Sequence, residues 1–381
     1  MYRKFGTTGF NVYPLGFGCM RFPTIMKEDN NIIDEKESIK MLRYAIDNGV
    51  NYIDTAYPYH GGESEILVGK ALKDGYRNKV ALATKSPVWL INELDDFDNL
   101  LDEQLKKLQT NYIDFYLLHA LNKESFDKIM SLNILSKVKT AIDNGKIKYI
   151  GFSFHDKTEH FWPMLDAHPW DFVQLQANYL DEDYQAGISG VKEAAKRGMG
   201  VIIMEPLLGG KLANVPDSVN NIFKSHNNKS PVEWALDYLW NMEEVSLLLS
   251  GMSTMEQVRE NISYANKSNI GMLSGEEEEI IASAKEAFNE IQNVPCTKCK
   301  YCIPCPFGVN IPANFTLYNE SFMFGLYENN KKEYKKMLEK RESANVCSNC
   351  GLCTEHCPQH INIPEELKKV NKLFVTTGCL C

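Results

Sequence analysis

Tyr112-Ile113-Asp114-Phe115-Tyr116-Leu117-Leu118-His119 is an almost unbroken apolar run that ends on a histidine. A strand with one wet face alternates polar and apolar residues, whereas a strand covered on both faces does not. This run therefore predicts a parallel strand with packing on each side. Similar runs recur at 15–20, 50–55, 80–84, 148–152, 172–176, 200–204 and 245–249. Helical patterns separate them. In 35–48, Ile39, Leu42, Ala45 and Ile46 fall at helical spacing, and 97–108, 127–144, 191–196 and 231–240 continue the alternation. Gly145 is a natural helix stop, and Pro231 suits a first turn. Strand followed by helix, eight times over, predicts an α/β chain built on a (β/α)8 TIM barrel. A doubly wound sheet would carry a glycine-rich turn after its first strand. Gly16-Phe17-Gly18-Cys19 lies inside the strand instead, with no third glycine at the required spacing.

The 381 residues are 44% hydrophobic and 24% charged, enough for a sizeable core. A net charge of −9 argues against nucleic-acid binding, which depends on basic residues neutralising phosphates. No apolar targeting segment is visible at the start. The longest apolar runs fall far short of the roughly 20 residues of a membrane helix. A cytoplasmic chain without membrane spans is expected. Its eleven cysteines then read as ligands or catalysts rather than disulfides. Cys19 stands alone and reads as a buried strand residue; the next cysteine is Cys296. That shift places a domain boundary near 290, with a barrel over 1–290 and a second domain over 291–381.

In a barrel of this kind, polar residues at the carboxyl ends of strands are the functional candidates. Asp54, Lys85, His119, Ser153, Gln174 and Glu205 stand there, with Tyr59 in the loop after Asp54. Singly, each has an ordinary reading as a turn, capping or solvated residue. Asp, Tyr, Lys and His together on one face are harder to dismiss. The carrying segments are Gly49-Val50-Asn51-Tyr52-Ile53-Asp54-Thr55-Ala56, Ala83-Thr84-Lys85 and Asp114-Phe115-Tyr116-Leu117-Leu118-His119. With Phe5-Gly6-Thr7-Thr8-Gly9 and Pro14-Leu15-Gly16-Phe17-Gly18, they make the chain from about 2 to 266 resemble an aldo/keto reductase.

The resemblance implies a catalytic tetrad of Asp54, Tyr59, Lys85 and His119. Carbonyl reduction needs a hydride at carbon and a proton at oxygen. Tyrosine, with a reference pKa of about 10, is a weak acid, and a neighbouring Lys⁺ favours its phenolate. Tyr59 would exchange the proton, Asp54 would hold Lys85, and His119 would orient the substrate. The resemblance also implies that Ser153 and Gln174, with Gln176 as a competitor, hold a nicotinamide carboxamide. Met204 would lie against the nicotinamide ring. Ser253, Glu260 and Asn261 would meet the adenine end. Gln257 stands where a cation often clamps the 2′-phosphate, and Arg259 is set on another side of the helix. NADP and NAD both remain open. Trp89, Trp162, Phe22 and Tyr179 are candidates for an apolar pocket wall.

The remaining cysteines fall in two runs. Cys347-x2-Cys350-x2-Cys353-x3-Cys357-Pro358 has the spacing of bacterial ferredoxins, and Cys296-x2-Cys299-x2-Cys302-x2-Cys305-Pro306 is one residue shorter. Two 4Fe-4S clusters are expected. Ferredoxins with two clusters send the proline-preceded cysteine to the other cluster. Cys296, Cys299, Cys302 and Cys357 would hold one, and Cys347, Cys350, Cys353 and Cys305 the other. Structural zinc is the alternative, but it commonly uses two pairs rather than two runs of four. Cys379 and Cys381 read as a tail.

Ser274-Gly275-Glu276-Glu277 opens a helix to about 291; 314–343 looks helical, and Pro364 starts a further helix. This mainly α-helical iron–sulfur domain resembles the α-helical ferredoxins attached to larger oxidoreductases. Glu205-Pro206-Leu207-Leu208-Gly209-Gly210-Lys211 resembles the signature of the reductase subgroup that carries such a domain. The expected function is an NAD(P)-dependent oxidoreductase of a small carbonyl or alcohol. Its clusters would exchange electrons with a ferredoxin or flavoprotein. The alternatives are an electron-transfer protein with the barrel as scaffold, and clusters that only staple a small domain.

Overall fold

The computed structural model describes residues 2–27 and 30–375. Cys379 and Cys381 lie outside them. Two compact units form: residues 1–210 with 232–274, and residues 211–231 with 275–381.

The first unit is a closed barrel of eight parallel strands in chain order. They are β1 (Leu15–Gly18), β2 (Tyr52–Asp54), β3 (Ala81–Ser86), β4 (Ile113–Leu121), β5 (Ile147–Phe154), β6 (Phe172–Gln176), β7 (Gly200–Met204) and β8 (Leu247–Ser250). β8 pairs with β1, closing the ring. The continuous apolar runs have their reason in two separate cores. Tyr52, Ala83, Phe115, Phe172, Ile202 and Leu247 fill the interior, while Ile53, Leu82, Tyr116 and Leu118 face the helices. Phe5, from the hairpin of Arg3–Lys4 and Asn11–Val12, plugs the interior against Tyr52, Phe115 and Phe172. Its ring leaves no room at Gly200, where a Cβ would stand 2.5 Å from Phe5 Cε1.

One expected helix is two. Residues 127–144 break at Asn133, whose φ of 54° is left-handed, into Lys123–Ser131 and Ile134–Asp143. Asn122 and Ser125 close a capping box on the first of these, which fixes its start upstream of the apolar pattern. Cys19 is fully buried as expected, in a turn just beyond β1.

The second unit is helical: Asp217–His226, Gly275–Ile291, Ile311–Met323, Tyr327–Glu339, Leu352–Glu355 and Ile363–Val375. The expected helix over 314–343 breaks at Gly325, φ 64°. Helix Gly275–Ile291 packs on Asp217–His226, with Lys229 Nζ 2.7 Å from Glu277 Oε1. Both therefore group with the cysteine-bearing unit. Its core gathers Phe315, Tyr334, Leu367, Val370 and Phe374, and Asn319 ties down both backbone groups of Val294.

Candidate active site and cysteine centre

β2, β3 and β4 deliver three of the four tetrad residues to one end of the barrel, and the loop after β2 delivers Tyr59. Lys85 Nζ donates to Asp54 Oδ1 at 2.6 Å, to the Thr55 carbonyl at 2.8 Å and to Tyr59 Oη at 3.4 Å. Asp54 and Lys85 are almost wholly buried. The His119 ring stands edge-on to Tyr59, 6.2 Å between centroids. His119 reaches this position through a bulge: β4 slips register between Leu118 and Leu121, and Ala120 takes a φ of 54°. Ser153 Oγ accepts the displaced Ala120 N–H at 2.7 Å.

Electrostatics assign a protonation state to each group. Burial pulls Lys85 down, but Asp54 and Tyr59 together outweigh it, so Lys85 is held charged. The phenol differs from expectation. Burial pushes Tyr59 above its usual value, and Lys85 only partly opposes it. Tyr59 is a neutral phenol. Burial, then Lys85, then His155 press His119 well below the usual histidine range, so its ring is neutral. Its Nδ1 is buried without a partner.

In the second unit, Cys296, Cys299, Cys302 and Cys357 line one small pocket, partly open to solvent, with Ile311, Phe315 and Ile363. Cys353 lies within electrostatic range of Cys347, Cys305 and Cys350. Cys302, in turn, lies within electrostatic range of Cys296, Cys299 and Cys353. Burial pushes the Cys302 thiol to about 11 and raises Cys296 and Cys353. Among the described residues, no three His, Cys, Asp or Glu side chains converge on a single-ion site.

Residues 14–272 match the aldo/keto reductase family, and residues 295–363 match the 4Fe-4S dicluster domain. The chain belongs to the aldo/keto reductase family. Among curated proteins it is 31% identical over 237 residues to probable aldo-keto reductase 1 of Glycine max, which covers 58% of this chain and 65% of that one. The holo form of an aldo-keto reductase from Bacillus halodurans shares the fold with TM-score 0.62 at 24% identity, over 74% of this chain and 95% of its own. An aldo-keto reductase from Klebsiella pneumoniae, in complex with NADPH, superposes with TM-score 0.60 at 22% identity, over 74% and 94%. This is an oxidoreductase barrel joined to an iron–sulfur domain.

In this aldo/keto reductase the expected nucleotide contacts are partly assembled. Ser153 and Gln174 are register partners on β5 and β6. Gln174 Nε2 lies 3.6 Å from Met204 Sδ, and its Oε1 is buried without a partner. Asn261 Nδ2 donates to Ser250 Oγ at 3.0 Å, while Glu260 and Ser253 are exposed. Gln257 Oε1 accepts the Ser253 N–H, and the Arg259 guanidinium lies over the Tyr44 ring, 5.5 Å away. Of the expected pocket wall, the Trp89 ring contacts the tetrad, 5.2 Å from His119. Phe22 and Tyr179 are buried. Trp162 packs on Phe161.

Sequence reasoning missed a buried support. Glu65 Oε1 accepts from Thr84 Oγ1 at 2.7 Å and Gln104 Nε2 at 2.6 Å. Gln104 Nε2 also donates to the Lys85 carbonyl at 3.0 Å, and Tyr116 Oη donates to Gln104 Oε1 at 2.7 Å. This network fixes the backbone that carries Lys85. Gln104 sits within an amphipathic helical pattern where a glutamine reads as solvated, so only a buried Gln at an otherwise apolar position could have signalled it.

Proposed function

We propose that the chain is an NAD(P)-dependent reductase of a small carbonyl compound, or oxidant of the corresponding alcohol, working in the cytoplasm. The observation that carries the reading is the placement of Lys85 between Asp54 and Tyr59, beside a neutral His119. A reduced nicotinamide, when bound, supplies the hydride. Tyr59 supplies the proton: its buried phenol stays protonated until the carbonyl oxygen gains charge. Lys85 then stabilises the phenolate left behind, and Asp54 keeps Lys85 charged and in place. His119, uncharged, is free to hydrogen-bond the substrate oxygen without drawing off the proton.

The nucleotide, NADP or NAD, is supported by the orphaned Gln174 Oε1 beside Ser153, a natural acceptor for a carboxamide N–H. The NADPH in the Klebsiella pneumoniae protein accords with this. Met204 would flank the ring, and Ser253, Glu260 and Asn261 would meet the adenosine end.

Two 4Fe-4S clusters fit the cysteines. Cys296, Cys299, Cys302 and Cys357 line one pocket, and two runs of four cysteines suit clusters better than the two pairs common at zinc sites. Cys347, Cys350, Cys353 and Cys305 form the other set. Clusters carry single electrons whereas nicotinamide exchanges two at once. The cluster unit is therefore read as an electron-entry site for a ferredoxin or flavoprotein partner.

Tyr59→Phe tests the reading. Carbonyl reduction should fall roughly 10²- to 10⁴-fold while nucleotide affinity holds. Unchanged turnover would remove the tetrad assignment. Iron and sulfide counts on anaerobically purified protein test the clusters; Cys357→Ser should lose iron from the first set only.

A further inference from the structure

We infer that His155 and Gln185 form a polar subsite beside the tetrad, suited to a hydroxyl group close to the substrate's carbonyl. This rests on the carbonyl-reductase reading above and names a substrate class for it, a hydroxyaldehyde or hydroxyketone. His155 is the first residue after β5, and its N–H donates to the Leu121 carbonyl at 2.9 Å. That bond sets it beside the end of β4, next to the bulge that carries His119. His155 stands close enough to Lys85 for that charge to lower its pKa, and close enough to His119 to lower that ring in turn. The tetrad thus has a second imidazole for a neighbour, and the proton transfer does not use it. Gln185 comes from the loop after β6. Its φ of 57° is left-handed, and its carbonyl accepts the Thr158 hydroxyl. Gln185 Nε2 reaches His155 Nδ1 at 3.5 Å.

The pair offers a ligand one donor and one acceptor. Part of the His155 residue is open to solvent, yet enclosure by the protein, and then Lys85, hold its ring below the usual histidine value. The ring is therefore neutral at pH 7 and carries one proton. With the Gln185 amide donating to Nδ1, that proton sits on Nε2 and can be donated. Gln185 Oε1 is buried without a partner and can accept. A buried oxygen left unpaired costs stability until a donor reaches it. A hydroxyl donates and accepts at once, so it satisfies both atoms. A second carbonyl would leave Gln185 Oε1 unpaired, and an ammonium would leave the His155 N–H unpaired. A site that hydrogen-bonds a substrate hydroxyl discriminates against the analogue that lacks it, because its own polar groups then go unpaired.

Full-length holoprotein is assayed on 2-hydroxypropanal against propanal, and on hydroxyacetone against acetone. Within each pair the ratio of kcat/KM is compared between wild type and variant, so differences in carbonyl reactivity cancel. His155→Leu should lower both ratios roughly ten- to a hundredfold. Gln185→Leu should lower them by less, and His155→Gln, which keeps an N–H, should recover part of the loss. A second readout needs no turnover. In wild-type protein labelled with carbon-13 at histidine Cε1, the resonance that His155→Leu removes should shift to saturation with hydroxyacetone and stay in place with acetone. It is recorded without nucleotide and again with the oxidised nucleotide. Circular dichroism of each variant reports folding. Ratios that survive His155→Leu, with a His155 resonance indifferent to hydroxyacetone, overturn the subsite and leave the reductase reading standing. A wild type that reduces none of the four compounds but shows the saturable shift keeps the hydroxyl subsite and removes the reductase reading.

Discussion

The barrel has two apolar layers, one inside the strand ring and one between ring and helices, whereas the cysteine-bearing stretch 294–374 gathers one core of twelve buried side chains among the described residues. Six of its cysteines pack partly buried against that core. The barrel unit's buried polar side chains include Asp54 and Lys85 at the site and Glu65, Thr84 and Gln104 in the network beneath it. The cysteine unit has thiols where the barrel has aliphatic side chains. A small core of this kind usually needs a metal or another cross-link to persist.

Iron removal is the largest expected effect and the most direct way to break this comparison. Chelation under reducing conditions should unfold the helices of 275–375 and leave the barrel's strands intact. Far-UV circular dichroism would lose helical signal, and limited proteolysis would leave a protected fragment covering the barrel. A cysteine unit that keeps its protection without iron would show that its twelve-residue core suffices. The clusters would then be redox groups and not staples.

Lys85→Met sharpens the comparison from the barrel's side. It leaves Asp54 buried and charged with no cation, in a place where Asp54 Oδ2 already lacks a partner. Loss of one member of a buried pair costs about 3–5 kcal/mol. The denaturation midpoint of the barrel should fall accordingly, and Asp54→Asn in the same chain should recover much of it. Iron content should not change. A barrel that tolerates Lys85→Met alone would mean that water reaches Asp54 and that the pair is not a dry one.

The two units were also unequally legible. Every barrel strand shows as an apolar run, because a strand covered on both faces has no polar positions to blur it. The two cysteine runs show through their short, regular spacing alone. What the sequence hid are features set by tertiary contact. Asn133 and Gly325 break helices whose apolar pattern runs on through the break. Ala120 bulges β4 because Ser153, thirty-three residues away, takes its N–H. Glu65 and Gln104 are fully buried, yet each is ordinary in an exposed helix. Their partners, Thr84, Tyr116 and the Lys85 carbonyl, come from other elements. Residues 211–231 leave the barrel between two of its elements to join the cysteine unit, and no change of composition marks the departure.

The smallest effect concerns pH and separates the units by where their titrating groups lie. His119 is held neutral in the folded barrel, with burial the main cause. In the unfolded chain it takes up a proton near pH 6.5. Between that value and its lower folded value, the unfolded state binds more protons, so stability falls as pH falls and is fully present above about 6.5. The slope from this one group is at most about 1.4 kcal/mol per pH unit. Urea midpoints of the barrel transition at pH 7.5 and 5.5 measure it. His119→Gln should narrow the difference between the two midpoints, with iron content the same in both proteins. If His119→Gln leaves the difference untouched, the ring is protonated in the folded barrel. In that case it would compete with Tyr59 as the proton donor.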